Sequence, residues 1–394
     1  MIQNIPLGEL FSISSGGTPS RKEPSYYEDG NIAWIKTGDL HVKRIFEASE
    51  YITQEGLDNS SAKLFPAGAV LVAMYGATIG ACSILEIEAA TNQACAAFLP
   101  NSEVDTLYLY YFLKSKKNDF VRDGVGGAQP NISATYLKMV EIPLPPLETQ
   151  KQIAAVLEKA DQLRKDCQLL EQELNSLAQS VFIEMFGDPA TNPKGWEETT
   201  LGNLIEFAKD GPHVSPTYSE AGIPFLSTRH IKPNGVVWSD LKYVSNEDAA
   251  LHWKKCKPEK GDVLYTKGGT TGVACPVNFN TEFAVWVHVA LLRPITAKVD
   301  YIWLSDMLNM PDCYNQSQNL TRGATNKDLG LKRMVNIEMY CPPLAEQKKY
   351  SDFITNINEQ LSALLIVSQQ YEVLFNSLIQ KAFNGELNLV NAKT

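Results

Sequence analysis

Forty consecutive residues, Leu147 to Phe186, contain neither glycine nor proline, and the same run returns 197 positions later as Leu344 to Phe383. No other feature constrains the fold so strongly. Pro145-Pro146-Leu147 recurs as Pro342-Pro343-Leu344. Without a gap, the same shift aligns Gln150-Lys151 with Gln347-Lys348, Leu177 with Leu374, Ser180 with Ser377 and Phe186 with Phe383. Such a register over a whole segment marks an internal repeat. In the first copy, apolar or small residues fall at Ile153, Val156, Ala160, Leu163, Cys167, Leu170, Leu174, Leu177 and Val181. The steps alternate three and four, the heptad period of a coiled-coil seam. In the second copy the row is Tyr350, Phe353, Ile357, Gln360, Leu364, Val367, Tyr371, Leu374 and Leu378, broken only at Gln360. The proline pairs suit helix starts, and Gly187 and Asn384-Gly385 suit helix stops.

About forty helical residues span roughly 60 Å, more than one compact domain buries. The expectation is that the two helices pack on each other, antiparallel, with the globular segments at opposite ends about a pseudo-two-fold axis. The alternative is that each helix packs on its own domain. Leu169, Phe182, Leu361 and Leu365 lie off the seam, so helices of a partner are expected to cover them.

The globular segments repeat more loosely, at shifts of about 191 to 197. Gly30-Asn31-Ile32-Ala33-Trp34-Ile35-Lys36-Thr37 resembles Gly222 to Thr228, and Gly76-Ala77-Thr78-Ile79-Gly80 resembles Gly268-Gly269-Thr270-Thr271-Gly272. Ile32–Ile35, Ala69–Met74 and Val263–Thr266 read as short strands flanked by glycine or proline. Leu107–Lys117 reads as a helix with a counterpart at Tyr301–Leu308. No βαβ alternation of doubly wound length is present, so the fold class is α+β with two mixed α/β domains. The boundaries are a first domain over 1–144, a helix over 145–190, a second domain over 191–341, a helix over 342–387 and a tail over 388–394.

Enzymatic signatures are missing from the sequence. There is no Gly-Lys-Ser/Thr phosphate loop, Gly-x-Ser-x-Gly elbow or Asn/Asp-Pro-Pro-Tyr/Phe segment, and the five histidines show no metal-ligand spacing. The loop Gly124-Val125-Gly126-Gly127 follows no clear strand and reads as flexible. The seven cysteines form no Cys-x-x-Cys pair and are expected to be buried, reduced thiols. No catalytic residue, metal or cofactor is assigned to this chain. Met1–Leu10 lacks a basic region followed by an apolar run, and no stretch is long enough to span a bilayer. A cytoplasmic protein is expected.

Order and spacing of several short segments together resemble the specificity subunits of type I restriction–modification enzymes. They are Ile142-Pro143-Leu144-Pro145-Pro146-Leu147-Glu148-Thr149-Gln150, Met185-Phe186-Gly187-Asp188-Pro189, Gly16-Gly17-Thr18-Pro19-Ser20, Gly195-Trp196 and Phe383-Asn384-Gly385-Glu386-Leu387. The resemblance covers essentially the whole chain. It implies that each globular segment is a target recognition domain binding one half of a split double-stranded DNA site. It implies that the helices form an antiparallel coiled coil that sets the gap and docks two methyltransferase subunits, which two restriction/translocase subunits can join. S-adenosylmethionine, ATP and Mg would then sit on those partners. Half-sites one helical turn apart lie roughly 34 Å from centre to centre, a distance such helices can set.

Base edges are read by paired donors and acceptors. In the first domain the loops with that chemistry carry Arg21, Lys36, Thr37, Asp39, Tyr75, Thr78, Asn92, Gln93, Gln129 and Asn131. In the second they carry Thr228, Arg229, His230, Lys267, Thr270, Thr271, Arg322, Thr325, Asn326 and Lys327. Lys36, Arg229, Lys267 and Lys327 are expected to be the most exposed. Thr37, Thr78 and Asn92 suit turn caps equally well. Tyr75 and Trp34 offer rings for stacking, with burial expected for Trp34.

Net charge is −10, against the trend for a DNA binder. Residues 1–144 carry −5 and the first helix segment −4, whereas 191–341 balance sixteen cations with sixteen anions. Partners are therefore expected to supply most phosphate contacts, and the isolated chain to bind DNA weakly. The competing reading is a coiled-coil adaptor whose domains bind protein or glycan.

Overall fold

The computed structural model describes residues 3–125, 131–233 and 235–387. Gln129 and the tail over 388–394 lie outside them. The chain forms two compact units, Met1–Gln168 with Ile366–Thr394, and Leu169–Leu365. Each long helix gives its first half to one unit and its second half to the other. The helices run over Leu147–Phe186 and Leu344–Phe383, as the sequence predicts. Gly187 ends the first at φ +84°, and a Cβ there would stand 2.5 Å from Pro193 Cγ. Gly385 ends the second at φ +74°. Both lie in the left-handed region that glycine occupies without steric cost.

The two units repeat the same devices. Each domain is closed at its base by an antiparallel strand pair. In the first, Gln3–Pro6 runs against Glu141–Leu144, and in the second Glu197–Thr200 runs against Glu338–Cys341. One turn into each helix a buried glutamine ties this base to the domain. Gln150 Nε2 donates to the carbonyls of Glu103 (3.0 Å) and Pro145 (2.9 Å), and its Oε1 accepts the Asp105 N–H at 2.9 Å. Gln347 does the same with Lys298 (3.2 Å), Pro342 (2.7 Å) and Asp300 N–H (2.8 Å). Asp105 and Asp300 in turn cap the helices Thr106–Ser115 and Tyr301–Asn309.

Within the first unit, Ile153, Leu157 and Ala160 of the first long helix share a core with Phe375, Ile379 and Ala382 of the second, and with Tyr108, Tyr111 and Phe112. Phe383 packs on Tyr108, whose hydroxyl reaches Pro143 just before the first helix, while Arg164 pairs with Glu372 at 3.1 Å. These stretches therefore run antiparallel. In the second unit, Phe182 and Phe186 pack edge-on against Tyr350, each at 5.4 Å, and share Trp303.

The buried face of each helix differs from the predicted seam. Leu170, Leu177, Phe353, Val367 and Leu374 are exposed, whereas Leu157, Phe182, Ile354, Leu361, Phe375 and Ile379 are buried. A straight α-helix drifts about 20° per heptad against a strict seven-residue repeat. The row that stays inward passes through positions 153, 157, 160, 164, 167, 171, 175, 178, 182 and 186, which follow the 3.6-residue period, and all are buried or half-buried.

Among the described residues each domain carries two sheets of four or five strands, and the second adds a short ladder of Ile231–Lys232 against Gly235–Val236. In the first, one runs in the order Ile13–Ser15, Cys95–Phe98, Val70–Ala73, Cys82–Leu85, Arg44–Ile45, and the other in the order Tyr51–Ile52, Ile32–Ile35, Ala89–Thr91, Leu64–Phe65. In the second, the orders are Ile205–Asp210, Val289–Pro294, Val263–Gly268, Thr270–Pro276, and Tyr218–Ser219, Lys242–Val244, Ile223–Leu226, Ala284–Val285. The α+β class is that expected. Six cysteines are buried, Cys341 is half-buried, and all are free.

Candidate nucleic-acid interface

In the first domain the predicted residues gather along one rim. The strand Ile32–Ile35 ends in a 3₁₀ turn, Thr37–Asp39, where Asp39 Oδ2 accepts the Lys36 N–H at 2.8 Å. Asn92 N–H donates to Ile35 O at 3.0 Å, which sets the Asn92–Ala94 loop beside that turn. Thr18 Oγ–H donates to Gln93 Oε1 at 2.5 Å. Met74 N–H reaches Ala94 O (2.8 Å), and Ile132 N–H reaches Met74 O (3.0 Å), which brings in Tyr75 and Asn131. Arg21 and Lys36 both bind Glu50, Lys36 at 3.0 Å.

The second domain rebuilds the backbone bonds and the turn cap of this rim. Ser227 N–H donates to His230 Nδ1 at 2.9 Å, so His230 takes the place of Asp39. Trp286 N–H donates to Leu226 O (2.8 Å), Lys267 N–H to His288 O (2.8 Å), and Leu329 N–H to Lys267 O (2.7 Å). The paired exchange between Val125 and Asn131 returns between Arg322 and Asp328. A Cβ on Gly16 would stand 1.9 Å from Thr91 O, and one on Gly211 2.2 Å from Val285 O. Both glycines are fixed by the same close strand approach. The backbone frame is common; its side chains are not.

Several sequence-based expectations change here. Lys267 is buried, its Nζ 3.3 Å from Asp210 and 3.2 Å from Asp328. It replaces the core residue Met74 and is neutralised by two carboxylates instead of being exposed as expected. Burial alone would raise the Asp210 carboxyl; the hydrogen bond from Lys255, with the charges of Lys255 and Lys267, holds it below the usual range. His230 and Thr271 are also buried, the latter with its hydroxyl against Thr321 at 3.2 Å. Lys36 is half-buried rather than free. Arg229, Thr270, Arg322, Thr325, Asn326 and Lys327 are exposed, as are Arg21, Tyr75, Gln93 and Asn131. Thr228 is half-buried. Thr78 and Asn92 cap turns through Tyr75 O (3.1 Å) and Ala94 N–H (3.1 Å). Trp34 is buried, with its Nε1–H on Gly17 O at 3.0 Å. Glu50, Tyr218, Lys242, Trp286 and His288 belong to the rims and were not predicted. A shift of 191 pairs Tyr27 with Tyr218 and Trp34 with Phe225, but Glu50 and Lys242 correspond only through the strand registers of the two domains.

The sequence pattern described as the type I restriction modification DNA specificity domain matches residues 2–178 and again 193–366. The chain belongs to this family. It is a DNA sequence-recognition subunit with two such domains. The MjaIX specificity subunit of Methanocaldococcus jannaschii is 25% identical over 409 residues, covering 97% of this chain and 92% of that one. The EcoR124I/EcoR124II specificity subunit of Escherichia coli is 29% identical over 162 residues, 40% of each chain. The fold is shared with the type I S subunit from M. genitalium (TM-score 0.62, 17% identity, 97% and 96% covered). It is also shared with a chain from a study of complex assembly and conformational transition of the type I R-M system (TM-score 0.59, 20% identity, 98% of each). Among the described residues, no group of side chains could hold a metal and no helix is long and apolar enough to cross a membrane.

Proposed function

We propose that each domain of this specificity subunit reads one half of a split double-stranded DNA site through its rim, without performing chemistry itself. The supporting observation is the common backbone frame carrying different side chains: one scaffold made twice, with two chemistries. The partners are two methyltransferase subunits that carry S-adenosylmethionine and modify adenine. Restriction/translocase subunits with ATP and Mg join them, in the cytoplasm.

Two equivalent docking faces on the helices fit that stoichiometry. Leu169 and Ile366, which correspond across the repeat, are 55% and 60% exposed; Leu170 and Val367 are 45% and 37%; Leu177 and Leu374 are 43% and 44%. Apolar side chains left open at the same positions in both copies suit two identical partners. The combined Leu169→Glu and Ile366→Glu variant should lose co-purification of the methyltransferase while keeping its helical signal. Retained co-purification would reject these faces.

A further inference from the structure

Both domains hold an aromatic pair on the same corner. Tyr27 and Trp34 meet edge-on at 6.1 Å, Tyr218 and Phe225 at 6.0 Å. A cation lies over each tyrosine, Arg21 at 4.3 Å in the first domain and Lys242 at 4.2 Å in the second. Their surroundings differ. In the first domain Glu50 takes two bonds from Arg21 and one from Lys36, and these cations pull its carboxyl down to about 2. The strand registers, Ala33 with Tyr51 and Pro224 with Tyr243, place Lys242 at the position of Glu50. The same alignment sets Ser227 at Lys36 and Arg229 at Gly38.

Among the described residues no carboxylate lies within 4.0 Å of Lys242 or Arg229. Arg229 Nη2 donates to Asp240 O at 2.6 Å. Its Nε lies 3.1 Å from His230 Nε2. Burial and the neighbouring Arg229 charge pull that imidazole below its ordinary range, against the pull of Asp240. Its Nδ1 accepts the Ser227 N–H, so Nε2 carries the proton and the contact with Arg229 is donor to donor. One carbonyl holds the guanidinium. With Tyr218, Phe225, Ser227, His230 and Trp286, the two cations line a cavity of about 230 Å³.

We propose that this cavity seats a phosphodiester of the bound DNA strand, and that in the first domain the Glu50 carboxylate fills the equivalent seat. The inference rests on the DNA-reading function above. Two cations with no carboxylate within 4.0 Å, Lys242 lying over the Tyr218 ring, supply charge-assisted bonds that a phosphate satisfies. The two reading heads then hold the backbone unequally, and the second contributes more of the sequence-independent, salt-sensitive affinity.

The test uses the full chain in its methyltransferase complex, with anisotropy of a fluorescent duplex carrying the split site, titrated across a range of KCl. Lys242→Gln should weaken binding about fivefold on matched and mismatched duplexes alike and reduce the salt slope by about 1. Glu50→Gln should steepen that slope by a similar amount, because Arg21 and Lys36 are released. An unchanged slope in Lys242→Gln overturns the proposal, and so does a loss confined to one half-site sequence, which would mark a base contact. Binding of free dAMP that Lys242→Gln abolishes, with DNA affinity unaltered, would assign the seat to a free nucleotide and also overturn it. Failure of the wild-type complex to bind the duplex at any salt would remove the DNA reading itself, and the seat with it.

Discussion

Replacing Gln150 by leucine keeps the volume of the side chain and removes all of its polar atoms. The glutamine is 1% exposed and satisfies three backbone groups. The Pro145 carbonyl is fully enclosed and loses its partner outright, a cost of about 1–3 kcal/mol for an orphaned buried group. Glu103 O and Asp105 N–H lie nearer the surface, where water can replace part of the bond, at about 0.5–1.5 kcal/mol each. The total is roughly 4 kcal/mol, a fall of about 8–16 °C in melting temperature for a unit of this size. Gln347→Leu removes the same three kinds of bond in the other unit and should cost the same within about 1 kcal/mol. Urea unfolding followed by circular dichroism reports both units. Tryptophan fluorescence weights the second, since only Trp34 of the six tryptophans lies in the first. A loss below about 1 kcal/mol for either variant would refute the clamp. A several-fold difference between the two would refute its equivalence.

Two further outcomes follow from the charges. Asp306 accepts the Tyr350 hydroxyl at 2.8 Å, and burial pushes its carboxyl up to about 7. A raised folded value gives stability that is full below the ordinary carboxylate range and is lost as pH rises through 7. Melting temperature should therefore fall by a few degrees from pH 5 to pH 8, and Asp306→Asn should flatten that slope; an identical slope in the variant would contradict it. The chain without partners should bind its target duplex weakly and with little preference in gel-shift titrations, and tight specific binding by the isolated chain would count against shared phosphate contacts.

The long helices are legible to within a few residues because their signal is long: forty positions without glycine or proline, bounded by proline pairs and glycine. Their buried face is less so, since a heptad count assumes supercoiling while these helices follow 3.6 residues per turn. The rims are partly legible. Turn-forming, donor-rich segments lead to Arg229 and Lys327, but lysine is assumed to be exposed. The carboxylates that bury Lys267 come from Asp210 and Asp328, each more than fifty residues away along the chain. Gln150 is visible as a repeated letter, yet its role needs the carbonyls it ties. Glu50 gives no local sign at all; its meaning comes from Lys242 standing in its place in the other domain.

Two heads on one scaffold make a claim that can be measured directly. Adenine methylation sequenced genome-wide, in cells carrying the wild-type gene and in cells carrying it with Asn326→Ala and Lys327→Ala, tests it at both half-sites together. The account predicts a split motif in the wild type, with one half kept and the other relaxed or lost in the variant. An unchanged motif, or both halves altered together, would contradict it.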